Sequence, residues 1–257
     1  MNYNFHTHTY RCHHASDTPE EYVVRAIDGG IKYMGFSDHF PYRFPDGREA
    51  KFRVPVDEVG DYFAETMALR EKYKDKIDIK IGFEMEYYPE LFDEMVALAK
   101  GYGAEYLICG EHFNHPEYPN PRSNYAYPAD NESLCEYVQN ICAAIKSHVF
   151  TYIAHPDIIN FVTDDAFYEQ EMRKMCETSL AENVPLEINF LGIRESRLYP
   201  RELFWKIAGE VGSPVTCGFD AHTADDAADS LSLARANELV EKYNLNYIDM
   251  PKIIDIR

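Results

Sequence analysis

Short runs of β-branched and aromatic residues alternate along the chain with longer segments in which apolar residues recur at helical spacing. This alternation predicts strands that are each followed by an amphipathic helix. The predicted strands are Tyr3–His8, Tyr33–His39, Ile77–Glu86, Glu105–His112, Thr151–His155, Pro185–Asn189 and Pro214–His222. The predicted helices are Glu20–Asp28, Asp57–Lys74, Pro89–Lys100, Glu132–His148, Ala166–Glu182, Arg201–Val211 and Ala224–Tyr243.

Seven strand-then-helix units in succession favour parallel strands joined by right-handed crossovers. Strands that are buried on both faces suit a closed barrel better than an open sheet. We therefore expect an α/β fold of the TIM-like barrel type, forming a single domain over residues 1–257. An eighth unit is not evident, and Asn244–Arg257 carries no predicted element.

Local signals support the first helix and mark two unusual connections. Thr18-Pro19-Glu20-Glu21 reads as an N-cap, a proline at the first helical position and an acid at the third, and Gly29-Gly30 ends that helix. The connections Phe40–Pro55 and Phe113–Pro128 are longer than plain turns and rich in Pro, Tyr and Arg. Loops of this length are usually functional on a compact domain, although a merely decorative surface loop is the alternative.

Composition narrows the classes of partner. The net charge is −19 and no run of Lys or Arg is present, so binding to nucleic acid or to anionic membranes is not expected. The first strand follows Met1 at once, and no apolar run is long enough to span a bilayer, so a cytoplasmic location is expected. The six cysteines form no CxxC pattern and are expected to be free thiols.

Imidazole and carboxylate groups recur at the ends of the predicted strands. They are His6, His8, Asp38, His39, Glu84, His112, His155, Asp220 and His222. The C-terminal ends of barrel strands meet at one mouth, so these groups are expected to converge there, and they are the donors that a cluster of hydrolytic metal ions requires. Since alternate strand residues share a face, His6 and His8 should point into the barrel, with Tyr3, Phe5 and Thr7 facing the helices. A single histidine at a strand end is more often structural, but metal-binding residue types at six of the seven predicted strand ends are hard to explain by chance.

Seven sequence features, in chain order, resemble the motifs of the polymerase-and-histidinol-phosphatase (PHP) superfamily. They are HTH at 6–8, CxHA at 12–15, SDH at 37–39, GxE at 82–84, a histidine after the fourth strand, HPD at 155–157 and DAH at 220–222. The resemblance runs from His6 to His222. It implies a distorted (β/α)7 barrel and a trinuclear metal site.

Position by position, the resemblance implies one metal held by His6, His8, Glu84 and Asp220, a second held by Glu84, His112 and His155, and a third held by His14, His39 and His222. Glu86 is a rival for the bridging role of Glu84, and His13 is a rival for the role of His14. Asp38 is expected either to orient an imidazole ligand or to cap a helix. Zinc, iron and manganese are all compatible with these donors.

The expected chemistry is hydrolysis of a phosphate monoester, with Glu84, Asp220 and His222 as catalytic residues. A hydroxide bridging two metals would attack phosphorus in line with the leaving alkoxide. Three divalent ions against two carboxylates and a hydroxide leave a local charge of about +3, which outweighs the distant negative surface at contact range.

The segment 187–194, followed by Tyr199-Pro200, is similar to the stretch that marks the histidinol-phosphatase branch. That branch implies L-histidinol phosphate as substrate, in histidine biosynthesis, and an arginine after the sixth strand that serves the phosphate. Arg194 occupies that position, and Arg43 and Arg122 on the long connections are further candidates for contact with the phosphate. Phe190-Leu191 and Phe219 depart from the small hydroxyl residues that are usual there, which leaves the identity of the ester open.

Three alternatives remain at this point. A phosphatase of the same superfamily could act on phosphotyrosine or on a nucleotide. An amidohydrolase would share HxH and a terminal aspartate, but no lysine stands at a strand end to form the carbamylated bridge. A catalytically silent PHP scaffold would be expected to lack ligands, whereas every family ligand position is filled here. Partners other than a small-molecule phosphate ester are not expected, and the oligomeric state is left open.

Overall fold

The computed structural model describes residues 1–117 and 121–257, so positions 118–120 of the second long connection lie outside the described residues. Within the described part, eight parallel strands form one sheet in chain order. The strands are β1 (Tyr3–Asn4), β2 (Tyr33–His39), β3 (Asp78–Met85), β4 (Tyr106–Cys109), β5 (Phe150–Ile153), β6 (Leu186–Asn189), β7 (Pro214–Gly218) and β8 (Asn246–Tyr247). The α-helices are α1 (Pro19–Asp28), α2 (Val59–Tyr73), α3 (Phe92–Tyr102), α4 (Asn131–Lys146), α5 (Asp165–Glu182), α6 (Phe190–Arg194), α7 (Glu202–Val211) and α8 (Ser230–Lys242).

The first strand closes against the seventh. Beyond β1, Thr7 forms an isolated parallel bridge with Ala221, and the His8 N–H donates to the Ala221 carbonyl at 3.0 Å. Within the strands, the Tyr3 hydroxyl forms a 2.6 Å hydrogen bond with the Thr216 hydroxyl. These contacts curl the parallel sheet round on itself, and the expected α/β TIM-like barrel is confirmed.

The structure adds an eighth strand to the seven that were predicted. An eighth strand, β8, pairs in parallel with Pro214 and Val215 of β7, and it lies in the segment Asn244–Arg257 that had no predicted element. Two residues are too few to show the alternation by which strands are detected in a sequence. All seven predicted strands are present, so β8 is an addition at the edge of the expected barrel.

The faces of the first strand also differ from expectation. Tyr3 and Phe5 pack against Tyr106, Ile108 and Tyr152 of neighbouring strands, in a small cluster without helix residues, so the prediction that they face the helices is wrong. The regular strand ends at Asn4, whose side chain accepts a hydrogen bond from the backbone of His6. Strict alternation therefore does not continue from Phe5 to His6, and the main hydrophobic core lies between the sheet and the helices.

Helix α1 begins as its sequence predicts. The Thr18 side chain accepts from the Glu21 backbone, the Glu21 carboxylate accepts from the Thr18 backbone, and Pro19 follows the cap. The six cysteines are free. No helix among the described residues combines the length and the apolar composition required to cross a bilayer.

Candidate metal centre and adjoining cavity

The two histidines after β1 are each oriented by a buried carboxylate. Nδ1 of His6 lies 2.8 Å from Glu187 on β6, and Nδ1 of His8 lies 3.4 Å from Asp38 on β2. Asp38 also accepts from the Thr9 backbone at 2.9 Å, and Thr9 is the N-cap of the short 3-10 helix Tyr10–Cys12. Asp38 therefore orients the imidazole of His8, whereas Thr9 and not Asp38 caps the helix. Nε2 of His6 and of His8 is directed toward the interior.

Glu84, at the end of β3, lies at the centre of the assembled side chains. Its carboxylate is buried and lies within 3.6 Å of nitrogen atoms from five imidazoles, which are His6, His8, His39, His112 and His155. The room for this carboxylate comes from Gly110, just after β4, because a Cβ built on Gly110 would lie 2.0 Å from Glu84 Oε1. The structure thus brings together groups that lie far apart in the sequence.

Glu86 does not compete with Glu84 for the centre. Its carboxylate accepts from Arg53 at 2.6 Å and lies 3.0 Å from Nδ1 of His112, on the side of that imidazole opposite to Glu84. The alternative assignment of the bridging role to Glu86 therefore has no support in this geometry.

Residues just after β7, together with His14, complete the cluster. Asp220 lies 3.1 Å from Nε2 of His8 and 3.5 Å from Nε2 of His6. The ring centroids of His14 and His222 are 4.9 Å apart. Ligand atoms of His14, His222 and His39 lie within 4.8 Å of one another, whereas His13 belongs to no such group among the described residues.

Two residues of the cluster have left-handed backbones. His155 has φ 31° and Asp220 has φ 46°, although neither is a glycine. Such conformations cost of the order of 1–3 kcal/mol each and persist where the surrounding structure fixes them, often at functional sites. Here they direct the side chains of the two strand ends toward Glu84 and the histidines.

The electrostatics of the cluster keep its acids ionised. Burial would raise the pKa of Glu84, but nearby imidazoles, led by His112 and His6, hold that pKa well below its usual value. The same balance, with His6 and His8 as the main partners, holds the pKa of Asp220 well below its usual value. The cluster therefore presents fixed negative charge.

The imidazoles divide into two kinds. Burial and the neighbouring charge of His8 hold the pKa values of His39 and His222 well below normal, so these rings are neutral. Burial opposes protonation of His8 as well, but the nearby carboxylates of Asp220 and Asp38 raise its pKa to about 9. The acids thus attract positive charge into the cluster, as divalent cations would supply.

The donors fit a metal cluster. Buried His6 Nε2, His8 Nε2, His39 Nδ1 and Glu84 Oε2 have no hydrogen-bond partner among the described residues. Unsatisfied buried polar atoms are costly, so four of them facing one another need a common partner, and imidazole nitrogen with carboxylate oxygen is a donor set for zinc, iron or manganese. Three-residue groups with ligand atoms close enough for one ion include His6, His8 and Glu84; His6, His155 and Asp220; His39, Glu84 and His112; and His14, His39 and His222.

Cys12 lies beside this cluster but is not activated. Its thiol donates to the Thr9 carbonyl at 3.1 Å, and burial raises its pKa above the usual value of a thiol. This environment leaves Cys12 as an unreactive free thiol.

A cavity of about 600 Å³ opens directly onto the cluster. Glu84, Asp220 and the ring edges of several histidines form its floor. Its walls carry aromatic, aliphatic and charged side chains, which are Phe52, Phe113, Tyr125, Ile158, Leu191, Tyr199, Lys51, Glu195 and Arg197. Both long connections contribute to these walls, as their length and composition suggested.

The arginines predicted to contact a phosphate do not line this cavity. Arg194 donates to the carbonyls of Phe219 and Asp220 at 2.9 Å, and it pairs with Asp226 and Asp229. Its guanidinium therefore supports the backbone beneath Asp220 rather than the cavity surface.

Arg43 and Arg122 also lie away from the cavity, so all three assignments are corrected. Arg43 pairs with Glu49 and Asp57 on the surface, and Arg122 donates to the Pro128 carbonyl. Arg197 is the arginine on the cavity wall, where it donates to the Tyr199 hydroxyl at 3.1 Å. It lies three residues beyond Arg194, after the end of α6, and its position soon after the sixth strand was the signal in the sequence that could have identified it.

Glu187 is the principal site residue that the sequence reasoning did not identify. It contacts His6, and it also accepts from the His155 backbone at 3.0 Å and from Asn189 at 2.8 Å. The signal available was its position on β6, facing the same interior as the strand-end ligands. A single acid on a strand does not reveal which imidazole it faces.

Comparison with known proteins agrees with this architecture. The PHP domain family model matches residues 4–190 of the chain. The chain is 25% identical over 228 residues to a probable histidinol-phosphatase of Deinococcus radiodurans, covering 84% of this chain and 85% of that protein. It is 26% identical to a histidinol-phosphatase of Lactococcus lactis, covering 94% of this chain and 90% of the relative.

Solved structures show the same fold. A crystal structure of histidinol phosphate phosphatase from Lactococcus lactis, complexed with zinc, L-histidinol and phosphate, superposes with a TM-score of 0.73 at 20% identity and covers 99% of both chains. The structure of a putative histidinol phosphatase from Listeria monocytogenes gives a TM-score of 0.72 at 18% identity, covering 90% of this chain and 99% of that one.

Proposed function

The chain belongs to the PHP domain family, and from that premise we propose that it is a metal-dependent phosphomonoesterase acting on L-histidinol phosphate in histidine biosynthesis. The products would be L-histidinol and phosphate. One observation carries the proposal, namely the buried Glu84 carboxylate surrounded by five imidazoles on the floor of an open cavity. We propose that residues 1–257 form a single catalytic domain that works in the cytoplasm.

Three divalent ions would be held by the converging side chains. The proposed ligands are His6, His8, His14, His39, Glu84, His112, His155, Asp220 and His222. When bound, the ions supply an activated water and positive charge for the phosphate. The family resemblance and the unpartnered donor atoms of the cluster support this assignment.

The chain's own residues prepare that site. Glu187 and Asp38 fix the Nδ1 side of His6 and His8, which leaves Nε2 of each ring directed at Glu84 and Asp220. Arg194 holds the backbone carbonyl of Asp220 and thereby stabilises its left-handed conformation. We therefore propose a positioning role for Arg194 in place of phosphate contact.

The cavity walls suit an ester that carries a phosphate and a cationic aromatic group. Arg197 pairs with Glu195 at 2.7 Å and lies over the Tyr125 ring. A phosphate that replaced Glu195 as the partner of Arg197 would leave the Glu195 carboxylate to accept an ammonium or an imidazole beside the aromatic wall. The relatives named histidinol-phosphatase and the complex of one such enzyme with L-histidinol and phosphate favour this substrate.

The test is a comparison of substrates with metal-loaded protein. We expect kcat/KM for L-histidinol phosphate to exceed that for phosphotyrosine, a nucleoside monophosphate and p-nitrophenyl phosphate by at least about 100-fold, because specific polar contacts separate substrates by such factors. Equal turnover of all four esters would remove the specific substrate and leave a general phosphomonoesterase. Absence of phosphate release from every ester at full metal loading would overturn the proposed function itself.

A further inference from the structure

A buried arginine connects both long connections to the candidate metal centre. Arg53 lies near the end of the connection that follows β2, and its side chain is 1% exposed. Arginine is seldom buried to this degree unless it is fully paired. Its partners therefore indicate what the residue does.

The guanidinium of Arg53 has three different acceptors. It donates to Glu86 at 2.6 Å, to Glu117 at 2.6 Å and to the Phe40 carbonyl at 3.1 Å. Tyr88 donates to the second oxygen of Glu117 at 2.7 Å. The arrangement joins the segment after β2, the end of β3 and the segment after β4.

The Glu86 carboxylate connects Arg53 to His112 in the candidate metal centre. One oxygen accepts from Arg53, and the other lies 3.0 Å from Nδ1 of His112. Nε2 of the same imidazole then lies 3.6 Å from Glu84. An arginine held by its planar fork thus fixes a carboxylate, and the carboxylate fixes which imidazole nitrogen faces the centre.

Phe52, which precedes Arg53 in the sequence, provides a second contact between Arg53 and the cavity. The Arg53 guanidinium lies over the Phe52 ring at 5.0 Å, and Phe52 stacks with Phe113 at 5.6 Å. Both rings line the cavity, and Phe52 also packs edge-on against His39 at 5.5 Å. The same guanidinium is therefore in contact with the aromatic wall.

We propose that Arg53 is a positioning residue that sets the orientation of His112 through Glu86, so that His112 binds its metal ion with full affinity. Arg53 itself contacts neither the metal ion nor the substrate. The inference rests on the proposed metal-binding role of His112.

The variant Arg53→Lys tests this directly. Lysine keeps the positive charge but lacks the fork that pairs with two carboxylates at once. We expect the apparent affinity for one metal equivalent to fall by about 10–100-fold, which is the usual effect of losing a partner of a metal-binding imidazole. The readout is zinc bound per chain by elemental analysis across a series of zinc concentrations set by a competing chelator, with circular dichroism to verify folding.

A double-variant comparison separates positioning from general stability. If Arg53 acts through His112, adding Arg53→Lys to His112→Asn should cause no further loss of zinc. If Arg53→Lys lowered zinc affinity by the same factor in the wild-type protein and in His112→Asn, the inference would be overturned. Arg70→Lys, which alters an arginine paired with Glu105 on the outer side of the barrel, is the control and should leave zinc binding unchanged.

Glu86→Gln provides a second test if Arg53→Lys does not fold. It preserves shape while removing the charge that pairs with Arg53, and we expect the same loss of one metal equivalent. Unchanged zinc affinity in this variant would contradict the inference. Wild-type protein that binds no zinc at all would instead overturn the proposed function, and with it this role of Arg53, so the two failures are distinguishable.

Discussion

Arg197 and Arg194 lie three positions apart in the sequence but have different surroundings. Arg197 faces the cavity, whereas Arg194 is occupied by two backbone carbonyls and two aspartates. The sequence could place an arginine after the sixth strand. It could not show which guanidinium lies on the cavity wall, because that depends on the short helix α6 and on the acids of a distant segment.

Substitution of Arg197 by methionine should weaken phosphate recognition. A hydrogen bond to a charged group contributes about 1.5–3 kcal/mol, so we expect kcat/KM for L-histidinol phosphate to fall by about 10–100-fold. Inhibition by inorganic phosphate should weaken in parallel. Arg43→Met, on the surface, is the control and should change kcat/KM by less than about twofold. An unaltered kcat/KM in Arg197→Met would remove this residue from phosphate binding.

Gly110 is required by the position of Glu84. A Cβ at Gly110 would lie 2.0 Å from the Glu84 carboxylate, so Gly110→Ala forces that group to move. Displacements near 1 Å can cost about 100-fold in rate, and we expect a decrease of that order in kcat together with loss of bound metal. Gly60→Ala is the matched control, since nothing lies within 4 Å of its Cβ position. Full metal content in Gly110→Ala would contradict the central role of Glu84.

At the scale of elements, strand ends were predictable and their fine geometry was not. Seven strands and most helices follow from periodicity, and the ligands lie at strand ends as expected. The two-residue strand β8, the five-residue helix α6 and the inward packing of Phe5 were missed. These features depend on tertiary contacts, and the elements are too short to show the repeating pattern of apolar residues by which helices and strands are predicted.

The capping box of α1 provides a test of element stability separate from function. Thr18→Ala removes the side-chain acceptor for the Glu21 backbone, at a cost of about 1 kcal/mol. In a chain of this size that corresponds to a decrease of about 2–4 °C in Tm, measured by differential scanning fluorimetry. Activity at 25 °C should not change, because α1 lies outside the cavity. A loss of activity without a change in Tm would contradict this assignment.

Over the whole molecule, the family and the barrel were both predictable because the ligands form a set spread over nearly the full chain. The PHP resemblance drawn from those motifs is confirmed by the family model. The orienting partners of the ligands were harder to predict, since Glu86 and Arg53 belong to no motif and the motif that contains Glu187 does not show which imidazole this acid faces. They meet the histidines only after the strands have been placed side by side.

Metal removal should act on stability as well as on activity. In the described structure, the buried Glu84 carboxylate pairs with imidazoles, and Asp220 pairs with imidazoles and the Asn189 amide, so without cations these two acids have no divalent counter-charge. Binding at 100 times the dissociation constant stabilises a folded chain by about 2.7 kcal/mol, which corresponds to about 5–10 °C in Tm at this size. We therefore expect chelation to lower Tm by at least that amount and to abolish phosphate release. Zinc, manganese or iron should restore both, and Arg43→Met should show the same shift as wild type. An identical Tm before and after complete chelation, verified by elemental analysis, would mean that the histidine and carboxylate cluster holds no ion that matters to the fold.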